Sequence, residues 1–162
     1  MSEQKIAIFP GSFNPITKGH ENIVRRAIPL FDKIIVAVGI NTKKTYMFDH
    51  EQREAWLHKV FEDCPTIEVE SYKELTANYC KRKGVRYILR GLRNGTDFDY
   101  EKSIAQMNKA LYAELESIFL ITDPEYSAVH ATILREIIAN GGDVSDFVPE
   151  AVAKEIMNYN NK

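Results

Sequence analysis

Residues Lys33 to Ile40 read KIIVAVGI, a nearly unbroken apolar and β-branched run. A strand with one face in water alternates apolar with polar side chains, so this run belongs to a strand buried on both faces. That requirement places it in a parallel sheet with helices on either side. Four other short runs fit the same sheet: Lys5 to Phe9, Thr66 to Ser71, Tyr87 to Leu89 and Ser117 to Ile121. Helical patterns separate them. The stretch after His20 carries Ile23, Val24, Ala27 and Leu30 at helical spacing, and Asp49 with Gln52 opens a second helix whose apolar face is Ala55, Trp56 and Val60, ended by Cys64-Pro65. Leu75 to Lys83 is a short helix stopped by Gly84, and a longer one runs from Asp97 to about Tyr112. Thr122 to Glu125 is a turn, Ala128 to Asn140 is an amphipathic helix ended by Gly141-Gly142, and a last helix starts near Pro149. The alternation predicts an α/β chain with a Rossmann-like, doubly wound, parallel five-stranded sheet, in one domain spanning residues 1–162.

Composition bounds the partners. The 162 residues include 21 Lys and Arg against 23 Asp and Glu, a net charge of −2, so no global basic field recruits nucleic acid. Any anion site must be local. No apolar run approaches membrane-spanning length, and Met-Ser-Glu-Gln-Lys lacks the form of a secretion signal. Cys64 and Cys80 form no Cys-x-x-Cys and read as small apolar fillers, which suits a reduced, cytoplasmic compartment.

The stretch Phe9-Pro-Gly-Ser-Phe-Asn-Pro-Ile-Thr-Lys-Gly-His20 lies between the first strand and the first helix. Gly11 and Gly19 allow close backbone approach, Pro10 and Pro15 stiffen the path, and a helix N-terminus favours an anion above it. Neither Gly-x-x-x-x-Gly-Lys-Ser/Thr nor Gly-x-Gly-x-x-Gly is present. Gly11-Ser-Phe-Asn-Pro followed by Gly19-His20 instead resembles the signature of the nucleotidylyltransferase superfamily, in which the motif histidine contacts nucleotide phosphates.

Ligands of such sheets bind at the carboxyl ends of the strands. Four polar segments emerge there: Pro10 to His20, Asn41 to Met47, Arg90 to Thr96, and Thr122 to Thr132. Together they gather His20, Lys44, Arg90, Arg93 and the hydroxyls of Ser12, Ser127 and Thr132, a set suited to a polyphosphate. Each has a plainer reading. His20 alone would be a capping histidine, Lys43-Lys44 a solvated pair, and Arg90 and Arg93 ion-pair partners of Asp97, Asp99 or Glu101. The three acidic residues fit a helix's first turns better than a metal site. His50, His58 and His130 show no metal-ligand spacing, and no Gly-x-Ser-x-Gly elbow supports a serine hydrolase.

Three blocks extend the resemblance over nearly the whole chain: Gly11 to His20, Ile88-Leu-Arg-Gly-Leu-Arg93 with Asp97-Phe-Asp-Tyr-Glu101, and Met107-Asn108 through Leu115-Glu-Ser-Ile-Phe119. They resemble the phosphopantetheine adenylyltransferase family. The resemblance implies transfer of the adenylyl group of ATP to 4′-phosphopantetheine, giving 3′-dephospho-coenzyme A and pyrophosphate. By motif, it implies that Ser12, Lys44, Thr76 and Arg90 hold phosphopantetheine, with His20, Lys44 and Arg93 catalytic. It assigns ATP to Ser12, Phe13, His20, Gly91, Leu92, Arg93, Glu101 and the segment Tyr126, Ser127, Ala128, Val129, His130, Ala131 and Thr132. It also implies magnesium on the ATP phosphates with no side-chain ligand, a homohexamer, and inhibition by coenzyme A. Two positions depart from the family pattern: Asn14 stands where Asp is common, and Val129-His-Ala-Thr132 stands where Ile-Ser-Ser-Ser/Thr is common. Competing readings are a relative with another acceptor, such as nicotinate mononucleotide, and a non-catalytic adenine-nucleotide sensor. A tRNA-charging enzyme would need a Lys-Met-Ser-Lys-Ser-like loop that this chain lacks.

Overall fold

The computed structural model describes residues 2–161. Five parallel strands, β1 (Ile6–Gly11), β2 (Lys33–Gly39), β3 (Ile67–Tyr72), β4 (Tyr87–Leu92) and β5 (Glu116–Ile121), form one sheet in the order β3-β2-β1-β4-β5. The helices are α1 (Lys18–Ala27), α2 (His50–Val60), α3 (Thr76–Lys83), α4 (Gly95–Leu111), α5 (Ala131–Ala139) and α6 (Glu150–Met157), with 3₁₀ turns at Ile28–Leu30, Pro124–Tyr126 and Asn158–Asn161. This is the expected Rossmann-like sheet. Among the described residues, no helix is long and apolar enough to cross a membrane.

The two-sided burial read from KIIVAVGI is realised residue by residue. Ile34, Val36 and Val38 of β2 face one core with Trp56, Leu57, Val152 and Ile156, while Ile35 and Ala37 face a second core with Ala77, Tyr79 and Cys80. Successive side chains of a strand point to opposite faces, so a strand between two cores must be apolar throughout.

Two strands run further than their composition suggests. β1 continues through Pro10 and Gly11 because these pair with Ala37 and Val38, and β4 continues through Arg90, Gly91 and Leu92 opposite Phe119, Leu120 and Ile121. Arg90 is therefore a strand residue, not a loop residue. Cross-strand pairing here overrides the low strand preference of Pro and Gly.

Helix boundaries also move. α1 begins at Lys18, ahead of His20, because Thr17 caps it, and it gives way to the 3₁₀ turn holding Pro29, which leaves Leu30 exposed. α2 ends at Val60 and buries Arg53, Trp56, Leu57 and Val60, with Ala55 on the solvent side. α4 begins at Gly95, capped by Asn94, and α5 begins at Ala131, with its expected first residues, 128–130, outside the helix.

Gly84 closes α3 in the left-handed region at φ +67°, with open space where a Cβ would stand, whereas Gly95 is helical and equally open. Replacing each by alanine separates backbone strain from packing. Gly84→Ala is expected to lower stability by about 1 kcal/mol, and Gly95→Ala to raise it by about 0.4–1 kcal/mol, measured by denaturant unfolding. Equal effects of one sign would contradict these backbone assignments.

Candidate active site

β1 and β4 are neighbours in the middle of the sheet, but their pairing ends at Ile8↔Ile88. Beyond that point they diverge, and the chain order reverses there, which is where ligands of such sheets bind. The loop leaving β1 crosses this gap. Phe13 takes a left-handed backbone at φ +48°, and Phe13, Asn14, Pro15, Ile16 and Thr17 are all buried. A bulky residue in this region is strained, and its surroundings hold it there. The Phe13 ring packs against Phe9 and, edge-on at 5.2 Å, against His20.

His20 is the third residue of α1 and half of a reciprocal cap. Its N–H donates to the Thr17 hydroxyl at 3.2 Å, and the Thr17 N–H donates back to His20 Nδ1 at 3.0 Å. A backbone N–H only donates, so Nδ1 is an acceptor and the imidazole proton sits on Nε2. Burial, then the positive charges of Arg90 and Arg93, push the His20 pKa from 6.5 down to about 3. The ring is thus neutral, with its Nε2–H edge turned away from Thr17 in a cavity of roughly 350 Å³ that it lines.

The two arginines of this cavity are held by carboxylates. Glu101, 8% exposed, grips Arg90 at Nε (3.0 Å) and Nη2 (2.6 Å), while Arg90 Nη1 donates to the Pro10 carbonyl at 2.5 Å across the strand gap. Asp97 accepts from the Arg93 backbone N–H (2.9 Å) and from its Nε (3.0 Å). Arg93 Nη1 donates to the Val129 carbonyl at 3.2 Å and to His130 Nδ1 at 2.6 Å. Burial works to raise the Asp97 pKa, but the hydrogen bonds from Arg93 outweigh it and hold the carboxyl below its usual range. The ion pairs weighed against a ligand role for these arginines do exist. They fix each guanidinium at the cavity wall and leave few of its donors for a phosphate.

A second cavity of roughly 840 Å³ opens on the other side of Arg90. Lys44 lies on it in the loop after β2, and Thr76, at the start of α3, meets the Tyr72 hydroxyl at 2.9 Å there. The two cavities share Pro10, Gly11, Ser12, Arg90 and Glu101. The two cavities therefore adjoin at these residues.

The remaining expected ATP residues divide. Phe13, Gly91, Tyr126, Val129, His130, Ala131 and Thr132 line the first cavity with His20, Arg93 and Glu101. Leu92, Ser127 and Ala128 line neither cavity: Leu92 pairs with Ile121, and the Ser127 hydroxyl donates to the Pro124 carbonyl at 2.9 Å. Gly91 acts through its smallness, since a Cβ there would stand 3.0 Å from Ile23 Cγ1, closer than the packing of α1 on the strand accommodates without a shift of that side chain. Thr17, Arg53 and Arg135 escape the sequence reading. Arg53 had a visible signal, because it occupies an apolar-stripe position with Trp56, Leu57 and Val60.

With this geometry in place, similarity to known proteins becomes specific. A family model described as cytidylyltransferase-like matches residues 8–137. The phosphopantetheine adenylyltransferase of Flavobacterium psychrophilum is 51% identical over 146 residues, covering 90% of this chain and 96% of that protein. The protein of the same name from Leptospira biflexa serovar Patoc is 49% identical over 154 residues, 95% and 96% of the two chains. Among solved structures, a bifunctional NMN adenylyltransferase/ADP-ribose pyrophosphatase from Francisella tularensis superposes with TM-score 0.77 at 16% identity; 99% of this chain spans 51% of that one. A protein from Vibrio parahaemolyticus described as a nicotinate-nucleotide adenylyltransferase superposes with TM-score 0.70 at 18% identity over 96% of this chain and 100% of its own. These structures share the fold. Fold and site together define a nucleotidyltransferase-type domain of the cytidylyltransferase-like class. Within that class, the chain belongs to the phosphopantetheine adenylyltransferase family.

A neutral His20 has consequences for pH. Between about 3 and 6.5 only the unfolded chain takes up this proton, so the stability tied to neutral His20 is complete above 6.5 and is lost as pH falls toward 3. Nitrogen-15 NMR at pH 5.5 is expected to show His20 as the neutral Nε2–H tautomer. A half-protonated ring near pH 6.5 would contradict the geometry.

Proposed function

We propose that the chain transfers the adenylyl group of ATP to 4′-phosphopantetheine, releasing pyrophosphate and giving 3′-dephospho-coenzyme A, the penultimate step of coenzyme A synthesis. The observation that carries this reading is the shared wall between the two cavities. The first cavity has the neutral His20, Arg93 and the start of α5, which suit a triphosphate. The second has Lys44, Thr76 and the apolar side chains of Leu75 and Ile104, which suit a phosphate joined to a long pantetheine arm. The family membership favours this acceptor over the nicotinamide-type acceptors named for the structural neighbours.

In this reaction the acceptor's phosphate oxygen attacks the α-phosphorus of ATP. The bond to the bridging oxygen breaks, and its electron pair leaves with pyrophosphate. The attacking oxygen is already anionic, so no strong base is needed, and the protein's contribution is position and charge. His20 donates its Nε2–H to an oxygen that gains charge, Lys44 neutralises the incoming phosphate, and Arg93, fixed by Asp97, sets a positive charge beside the outgoing phosphates. Glu101 acts through Arg90, which it holds where the two cavities adjoin.

Magnesium fits as an ion carried on the nucleotide. Glu101 and Asp97, the carboxylates of the first cavity, are each engaged by an arginine, and the described residues contain no cluster of three metal-ligating side chains. Magnesium favours phosphate oxygens and retained waters, and bound there it would neutralise charge on the leaving group. Coenzyme A carries the same pantetheine arm and is proposed to inhibit by occupying the acceptor cavity. The cytoplasm, where thiols stay reduced, is proposed as the site of action, in keeping with the unpaired Cys64 and Cys80. The homohexamer is proposed on the character of α4: of its 17 residues only Glu101 is buried, while Tyr100 and Met107 are 69% and 64% exposed. A helix of this length showing such apolar side chains calls for a covering partner.

Pyrophosphate release from ATP and magnesium is expected with 4′-phosphopantetheine and not with nicotinate mononucleotide. Release with the second acceptor alone would overturn the assignment. His20→Ala is expected to lower turnover by about 10²–10³, as for loss of one oxyanion donor, and near wild-type turnover would remove His20 from the mechanism. Light scattering of the same preparation is expected to give six chain masses, and a single chain mass would contradict the hexamer.

A further inference from the structure

Three arginines from three elements reach the end of β1 and the loop that leaves it, and each donates to a backbone carbonyl. Arg90 of β4 meets Pro10 at 2.5 Å, Arg53 of α2 meets Ser12 at 2.6 Å, and Arg135 of α5 meets Asn14 at 2.8 Å. The carbonyls belong to alternate residues. In a trans peptide the N–H points opposite the C=O, so drawing a carbonyl to one side turns the following N–H to the other. The Ser12–Phe13 peptide is trans, and its carbonyl is drawn to Arg53. Its N–H, that of Phe13, meets no acceptor among the described residues. Phe13 lines the first cavity and Arg53 does not.

Arg53 is also unlike the other two. It is 1% exposed, yet no carboxylate of the described residues forms an ion pair with it. Its contacts are the carbonyls of Ser12 and Phe48 (Nε, 3.0 Å) and the ring of Tyr46, 4.0 Å from its guanidinium carbon. Burial accordingly pulls its pKa down from the ordinary guanidinium value. An apolar residue of similar size would fill the same space at less electrostatic cost, so packing does not account for a charge here. A forked donor that holds the Ser12 and Phe48 carbonyls at once does, and no apolar side chain could replace it there.

We infer that Arg53 is a positioning residue for phosphate binding: through the Ser12 carbonyl it locks the Ser12–Phe13 peptide so that the Phe13 N–H donates into the cavity beside His20. The inference rests on the reading of that cavity as a phosphate site. It places Arg53 out of contact with substrate, acting only through the peptide it holds. Because that donor is aimed before the phosphate arrives, it strengthens as charge develops and should weigh more on turnover than on ATP binding.

The test uses the full chain labelled with nitrogen-15 and titrated with inorganic pyrophosphate, alongside Arg53→Lys and Arg53→Met, each first shown to be folded by its thermal transition. In the unmutated protein the Phe13 amide is expected to shift strongly on binding. In Arg53→Lys, which keeps the charge but loses the forked donor, that shift is expected to shrink, with kcat down at least about ten-fold and the KM for ATP within about three-fold. Arg53→Met is expected to lose more, and if it does not fold the lysine variant decides. Pyrophosphate binding, seen by calorimetry, that leaves the Phe13 amide unmoved in the unmutated protein would overturn the role of Arg53 alone. So would a folded Arg53→Lys with unchanged kcat and an unchanged Phe13 shift. Absence of pyrophosphate binding altogether would overturn the phosphate reading of the cavity and this inference with it.

Discussion

The molecule depends on the parting of β1 and β4. Their pairing ends at Ile8 and Ile88, while each strand goes on pairing with its outer neighbour for several residues more. Pro10 has no N–H to lose from a ladder at that point, so the proline costs the sheet little on that side. The gap is bridged by Arg90, whose guanidinium runs from Glu101 to the Pro10 carbonyl. Close packing of α1 on β4, through Ile23 over Gly91, seats the N-terminal turn of α1 beside the same gap. His20 follows from that placement. The two cavities are the space on either side of this bridge, so fold and site are consequences of one interruption in the sheet.

Electrostatics then sets the character of the site. His20 is kept neutral by burial and by neighbouring guanidinium groups, and its tautomer is fixed by the Thr17 N–H. Arg90 and Arg93 are kept charged and oriented by Glu101 and Asp97. The donors a phosphate would meet are therefore held in place before it arrives, and little reorganisation is left for the reaction itself.

Much of the architecture was legible because it depends on local pattern. The apolar run of β2, the helical spacing of Ile23, Val24 and Ala27, and the stop at Gly84 each report a nearby environment, and each is found where expected. Features set by distant partners were not legible. The extension of β4 through Arg90 and Gly91 is imposed by β5, whose pairing no local pattern in β4 reveals. The site shows the same division. His20 stood out by its motif, whereas Thr17 matters through a reciprocal cap and Arg53 through a carbonyl 41 positions away. Ser127 offered a hydroxyl in the right segment, yet the 3₁₀ turn at Pro124–Tyr126 turns that hydroxyl onto Pro124. His130, a departure from the family pattern, instead meets Arg93 at the cavity wall.

The central claim is that two phosphates meet where the two cavities adjoin and exchange the adenylyl group directly, in a single displacement. The stereochemical course at the α-phosphorus tests it most directly. With ATP carrying sulfur at one configuration of the α-phosphate, phosphorus-31 NMR of the thio-substituted dephospho-coenzyme A is predicted to show inversion. Retention would mean two displacements through an adenylylated side chain, with Ser12 and Glu101 in the shared wall as candidate carriers, and would contradict direct transfer between the cavities.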